Sequence, residues 1–184
     1  MSLPRNFTDQ AIVFKRFNYK EADRIITVFF KEYGKMNIVA KGVRKTTSKK
    51  GPHLEPFSHS KLHLVRTKFI PLVTQAETIR SFSSLREELP TMSLAFQVGE
   101  ILDKLLPEQQ SHPHVFDELL VLLSFLEETN RQNESHQQAG VKKFQLNLLE
   151  HLGYGQPKHK DLESLKNYFE YIIDSRLIAK SSLD

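Results

Sequence analysis

Between Lys41 and Phe57 the chain reads KGVRKTTSKKGPHLEPF, with Lys41, Arg44, Lys45, Lys49 and Lys50 close together and no acid before Glu55. Unpaired cations are too costly to bury, and clustering them raises the local potential toward any polyanion. The Gly, Ser, Thr and Pro content predicts a flexible loop that leaves one strand and enters another. Phe14, Phe17, Tyr19 and Phe57 stand near Lys15, Arg16, Arg24, Lys41, Arg44 and Lys45. Single-strand binders combine cations along the phosphates with rings under the bases. Arg24, Arg66 and Lys68 extend the set of candidate phosphate contacts. Two plainer readings compete: a charge run is commonly a solvated surface, and a phenylalanine such as Phe14 is commonly core.

Bond-making chemistry has little support. His53, His59 and His63 are close in sequence, but a metal needs several converging donors with supporting groups behind them, and no nearby acid pair completes the set. His112 and His114 flank a proline at a helix start, and His151 and His159 bracket Gly153-Tyr154-Gly155. Neither arrangement is a ligand pattern. There is no phosphate-binding glycine loop, nucleophile elbow or dinucleotide fingerprint. Glu87–Glu88 and Glu127–Glu128 are adjacent, so on a helix they diverge. No enzyme, no cofactor and no metal are expected.

The elements that must carry the cations change character along the chain. Up to Thr78 there are 15 Lys and Arg against 6 Asp and Glu, a balance of +9, whereas the remainder carries 11 against 16, a balance of −5. A basic first part joined to an acidic second part implies different tasks for the two. Phe7 to Phe82 reads as strands: Gln10–Tyr19, Arg24–Phe30, Met36–Lys41 after a turn at Tyr33-Gly34-Lys35, a strand holding Leu62 and Leu64, and one from about Ile70 to Ile79. Arg24–Phe30 is apolar enough that both its faces should be covered. Five strands in this span fit a small closed barrel better than an open sheet with two edges. An OB-fold is the candidate for nucleic-acid binding, and an SH3-like barrel has the same pattern.

After Ser84 the spacing becomes helical. Leu94, Val98, Ile101, Leu102 and Leu105 form one stripe ended by Pro107. Ser111 is placed to cap a second helix carrying Phe116, Leu119, Leu120, Leu123 and Leu126. A polar break at Asn130–Glu134 precedes a third with Val141, Phe144, Leu148 and Leu152, and Gly153 sits where a left-handed cap is wanted. A fourth starts near Asp161 with Leu162, Leu165, Phe169 and Ile172. The fold class is therefore α+β: an amino-terminal five-stranded barrel, OB-fold or SH3-like on pattern alone, over residues 1–82, then an all-α helical domain over 83–184. No apolar run approaches the length of a membrane span, no secretory signal is evident, and the chain has no cysteine. A cytoplasmic location without membrane contact is expected.

Several motifs follow a family order: Ala11-Ile-Val-Phe-Lys-Arg, Tyr19-Lys-Glu-Ala-Asp-Arg-Ile-Ile-Thr-Val-Phe, Glu32-Tyr-Gly-Lys, Val39-Ala-Lys-Gly-Val-Arg-Lys and His53-Leu-Glu-Pro-Phe. With Lys143-Phe-Gln-Leu-Asn-Leu-Leu-Glu-His-Leu-Gly-Tyr-Gly, this set resembles the RecO recombination mediators. The resemblance implies an OB-fold on a helical domain that binds single- and double-stranded DNA, anneals complementary strands, and works with RecR to help RecA displace the single-stranded-DNA-binding protein. It also implies a pocket on the helical domain for the acidic, Phe-ended tail of that coating protein. Lys142, Lys143 and Phe144 match the family's tail-binding positions, and a basic pair within an acidic domain suits an acidic tail. Many members carry a four-cysteine zinc module after Gly-Tyr-Gly. Here Gly153-Tyr-Gly-Gln-Pro-Lys-His-Lys runs straight into the last helix, so no zinc is expected in this short variant. Tyr171-Ile-Ile-Asp-Ser-Arg-Leu loosely matches the family's closing segment. Two rival readings share the residues: an OB-fold RNA-binding module, and a protein-interaction adaptor whose barrel is only structural.

Overall fold

The structure, a computed structural model, describes residues 4–129 and 133–173. The closing segment from residue 174 onward, part of the family resemblance, lies outside the described residues, as do residues 130–132 of the polar break. Two compact units result. One takes in the chain up to Phe82 together with Leu106–Pro113, and the other Ser83–Leu105 with the chain from His114 onward.

The first unit is a closed barrel in the strand order β1-β2-β3-β5-β4, built from β1 (Asn6–Tyr19), β2 (Asp23–Phe30), β3 (Gly34–Ala40), β4 (His59–Val65) and β5 (Leu72–Arg80). All neighbours are antiparallel except β3 and β5, which meet in parallel at Val39 and Leu72. This order, closed by one parallel contact, is the OB-fold arrangement rather than an SH3-like one. β1 is long because it serves both neighbours: Asn6–Ile12 pair with β4, and Ala11–Tyr19 with β2. An irregularity between Val13 and Lys15 bends the strand as it passes from one partner to the other. Ala11, Val13, Ile26, Val28, Ile38 and Leu62 fill the interior with no exposure. Phe29 and Phe14, with ring centroids 5.8 Å apart, are buried as well, so β2 is covered on both faces as expected.

A buried carboxylate fixes the β2–β3 turn. Asp9 accepts the backbone N–H of Gln10 at 2.7 Å, of Glu32 at 2.8 Å and of Tyr33 at 3.2 Å. Burial nevertheless holds its pKa above the ordinary aspartate value, with those three bonds acting in the opposite direction. The segment Leu106–Pro113 then lies along the start of β3. The Gln109 N–H donates to Lys35 O at 2.9 Å, and Ser111 Oγ donates to Lys31 O at 3.1 Å. Ser111 therefore does not cap the second helix, which starts at Pro113. Gly34 has a φ of +72°, and a Cβ there would stand 2.0 Å from Gln110 O. Only glycine allows both the left-handed turn and the close approach.

The second unit packs α1 (Leu89–Leu105), α2 (Pro113–Glu128), α3 (Glu134–His151) and α4 (Leu162–Ile173). The predicted stripes are largely the buried ones, but α2 turns Val115 and Leu122 inward and leaves Leu120 half-buried. In α3 a buried amide, Gln137, donates Nε2 to Thr91 Oγ1 and to Thr129 O, both at 3.1 Å. The helix ends as its glycine predicts. Gly153 takes φ +75°, its N–H reaches Glu150 O at 3.1 Å, and the Tyr154 N–H reaches Leu149 O at 3.0 Å. Asp161 caps α4 by accepting the Ser164 N–H at 2.9 Å.

Candidate nucleic-acid interface

The stretch Lys41–Phe57 divides in two. Its second half is core: a short 3-10 turn spans Gly51–Leu54, and Leu54, Pro56 and Phe57 are buried. The Phe57 N–H donates to Val13 O at 2.7 Å and the Val13 N–H to Ser58 O at 3.2 Å, so the segment pairs with β1 where that strand bends. The expectation of an irregular loop over the whole stretch therefore gives way to ordered backbone, because Leu54 and Phe57 have apolar surface to bury. Phe57, and Phe14 with it, belong to the core rather than to a binding face.

The cationic half is pinned by backbone and exposed by side chain. The Gly42 N–H donates to Asp23 Oδ1 at 2.8 Å, and the Arg44 N–H to Ala22 O at 3.0 Å. Arg44 Nη1 donates to Glu21 O at 3.1 Å, which holds the loop against the β1–β2 turn. At the other end Lys50 Nζ donates to Val73 O at 3.1 Å. Lys41, Lys45 and Lys49 are exposed and make no ion pair among the described residues. Arg24, opposite Ala40 across β2 and β3, reaches Asn18 Oδ1 at 3.4 Å. Its pKa lies below the ordinary arginine value, first through partial burial and then through the charge of Arg16, with Glu55 opposing and Arg44 adding. The three guanidinium groups thus share one field, and Arg16 is ion-paired with Glu55. A phosphate there would relieve like-charge repulsion.

Arg66 and Lys68 lie in the β4–β5 turn, which meets the end of β3 where the Val39 N–H donates to Pro71 O at 2.8 Å. The turn is braced by Thr67, whose Oγ1 donates to Ile70 O at 2.8 Å and accepts the Phe69 N–H at 3.3 Å. Three rings stand out from the barrel surface: Phe17 at 54% exposure, Tyr19 at 41% and Phe69 at 84%. Each has a lysine ammonium near its face: Lys15 at 5.7 Å from the Phe17 centroid, Lys20 at 5.3 Å from Tyr19 and Lys68 at 5.4 Å from Phe69. Sequence reasoning reached Phe17 and Tyr19 but missed Phe69 and Lys20. The adjacency of Lys68 and Phe69 behind a turn-forming threonine was the available signal.

In the helical unit a cavity of about 520 Å³ opens between α2 and α3, walled by Val121, Leu122, Phe125 and Phe144, with Glu118 and Lys143 beside them. Gly140 is what brings the helices this close, since a Cβ there would stand 2.3 Å from the Phe125 ring. The predicted set therefore separates: Phe144 and Lys143 line the cavity, whereas Lys142 is half-buried and does not.

The barrel histidines are each occupied separately: His53 with Thr78 at 2.8 Å, His59 with Gln10 at 2.9 Å and His63 with Thr8 at 2.7 Å. Among the described residues no three His, Asp or Glu side chains converge as metal ligands. No helix among them is long and apolar enough to cross a membrane.

A five-stranded OB barrel with exposed cations and rings belongs to the class of folds that proteins use to hold nucleic acids. The family model described as Recombination protein O N terminal matches residues 1–82, and that described as Recombination protein O C terminal matches residues 86–163. A DNA repair protein RecO from Dehalococcoides mccartyi is 36% identical over 176 residues, covering 92% of this chain and 67% of the relative. One from Syntrophomonas wolfei is 33% identical over 145 residues, covering 79% of this chain and 56% of the relative. The chain belongs to the RecO family of DNA repair and recombination proteins.

Proposed function

We propose that this chain is a non-catalytic recombination mediator that binds single- and double-stranded DNA, anneals complementary strands and helps load RecA onto coated single strands together with RecR. Residues 1–82 act as the nucleic-acid-binding domain and residues 83–184 as the docking domain. The observation that carries the reading is the trio Lys41, Lys45 and Lys49, exposed without ion pairs among the described residues, on the barrel of a DNA-repair family. Arg24, Arg44, Lys50, Arg66 and Lys68 contribute further phosphate contacts. Annealing follows from screening two phosphate backbones while their base edges stay available.

The cavity between α2 and α3 suits the acidic, Phe-ended tail of the single-stranded-DNA-binding protein. Its apolar walls take a ring, and Lys143 takes a carboxylate. One annealing assay, run with naked strands and with strands coated by that protein, tests both parts. Lys45→Glu with Lys49→Glu should slow annealing roughly tenfold or more in both conditions. Lys143→Glu should slow it only with coated strands. Undiminished annealing by the double variant would remove the cationic loop from the account, and a uniform loss with Lys143→Glu would remove the tail site.

A further inference from the structure

The exposed rings ask for an explanation that phosphate neutralisation does not give. Lysines alone would serve the phosphates, and an exposed phenylalanine forgoes the stabilisation that burial would give it. Among the described residues of the barrel unit the large apolar side chains left exposed are Phe17, Tyr19, Phe69 and Ile79. The three aromatic ones are the three that carry a lysine ammonium within 6 Å of the ring centroid. Phe17 and Tyr19 are two apart on β1 and so share a face of that strand. A rise of about 3.4 Å per residue sets their strand positions about 6.8 Å apart. That is twice the ~3.4 Å step between stacked bases along one strand, so there is room for one base against each ring. Phe17 lies across from Ile25, and Ile25 from Val39, which gives the rings an apolar floor of half-buried side chains. The β4–β5 turn meets that floor at Val39, bringing its own ring, Phe69, on a backbone braced by Thr67.

We infer that Phe17, Tyr19 and Phe69 form a base-stacking platform, with Lys15, Lys20 and Lys68 holding the phosphates of the same nucleotides, so that the barrel selects unpaired bases rather than merely polyanionic strands. In a duplex the base faces are covered by their neighbours, and these rings have nothing to stack on. The platform rests on the proposed DNA-binding function and adds its specificity.

The test uses the full chain and three probes of equal length: an oligothymidylate, the corresponding abasic deoxyribose-phosphate strand, and a duplex. Binding is followed by fluorescence anisotropy across a salt series that starts at low salt. The unaltered chain should bind oligothymidylate at least about tenfold more tightly than the abasic strand. Phe17→Ala with Tyr19→Ala, and separately Phe69→Ala, should each weaken oligothymidylate binding about fivefold or more while leaving abasic and duplex binding and the salt dependence unchanged. Phe69→Trp should retain the preference. Equal binding of oligothymidylate and abasic strand by the unaltered chain overturns the platform but leaves phosphate binding standing. A proportional loss on all three probes also overturns it, as a structural role would produce that pattern. Failure of the unaltered chain to bind any probe at low salt overturns the DNA-binding reading itself, and the platform with it.

Discussion

At the scale of single residues, what separates a binding cation from a decorative one is whether the chain already satisfies it. Arg16 has Glu55, whereas Lys41, Lys45 and Lys49 have no ion pair among the described residues. The same accounting isolates His112. Its Nε2 is buried with no hydrogen-bond partner among the described residues, and burial holds its pKa below the ordinary histidine value of 6.5. The unfolded chain therefore takes up a proton at a higher pH than the folded one. Where the unfolded state binds more protons, stability rises with pH, so this histidine's contribution is present above pH 6.5 and is lost as the pH falls below it. Urea midpoints measured between about pH 8 and pH 5 should decline for the unaltered chain and decline less for His112→Gln. Parallel declines would mean that His112 titrates as it does in the unfolded chain.

At the scale of elements, the strands and helices were legible because their periods of two and 3.6 residues are local. The cap at Gly153 was legible for the same reason. What could not be read was anything set by contacts distant in sequence. Pro107 and Pro113 do mark the end of α1 and the start of α2, but Leu106–Pro113 between them belongs to the barrel unit because Gly34 lets Gln110 approach. Likewise Leu54 and Phe57 sit in a segment rich in lysine and glycine, and only their pairing with β1 shows that the segment ends in the core. Of the candidate site, the lysines were legible from their cost of burial. Phe69 was passed over because phenylalanine is usually buried, although Lys68 beside it marked an exposed turn. The Gly34 contact predicts its own test. Gly34→Ala combines a left-handed residue, costing about 1–2 kcal/mol, with a collision against backbone. It should lower stability by at least that amount in denaturant melts and speed hydrogen exchange at Gln109. Exchange at Gln109 as slow as in the unaltered chain would contradict this role for Gly34.

At the scale of the whole molecule, the division of charge follows the division of structure. The chain up to Thr78 carries a balance of +9 and the rest −5, and this is why the proposed function gives the polyanion contact to the barrel. Salt dependence of single-strand affinity tests this most directly, because counterion release counts the phosphates that the cations neutralise. With five contacts, log affinity against log salt should fall with a slope of about −3.5, and reversing Lys45 and Lys49 should make that slope shallower by about 1.4. An affinity that stays flat across the salt series, or a slope unmoved by reversing those two lysines, would contradict the account.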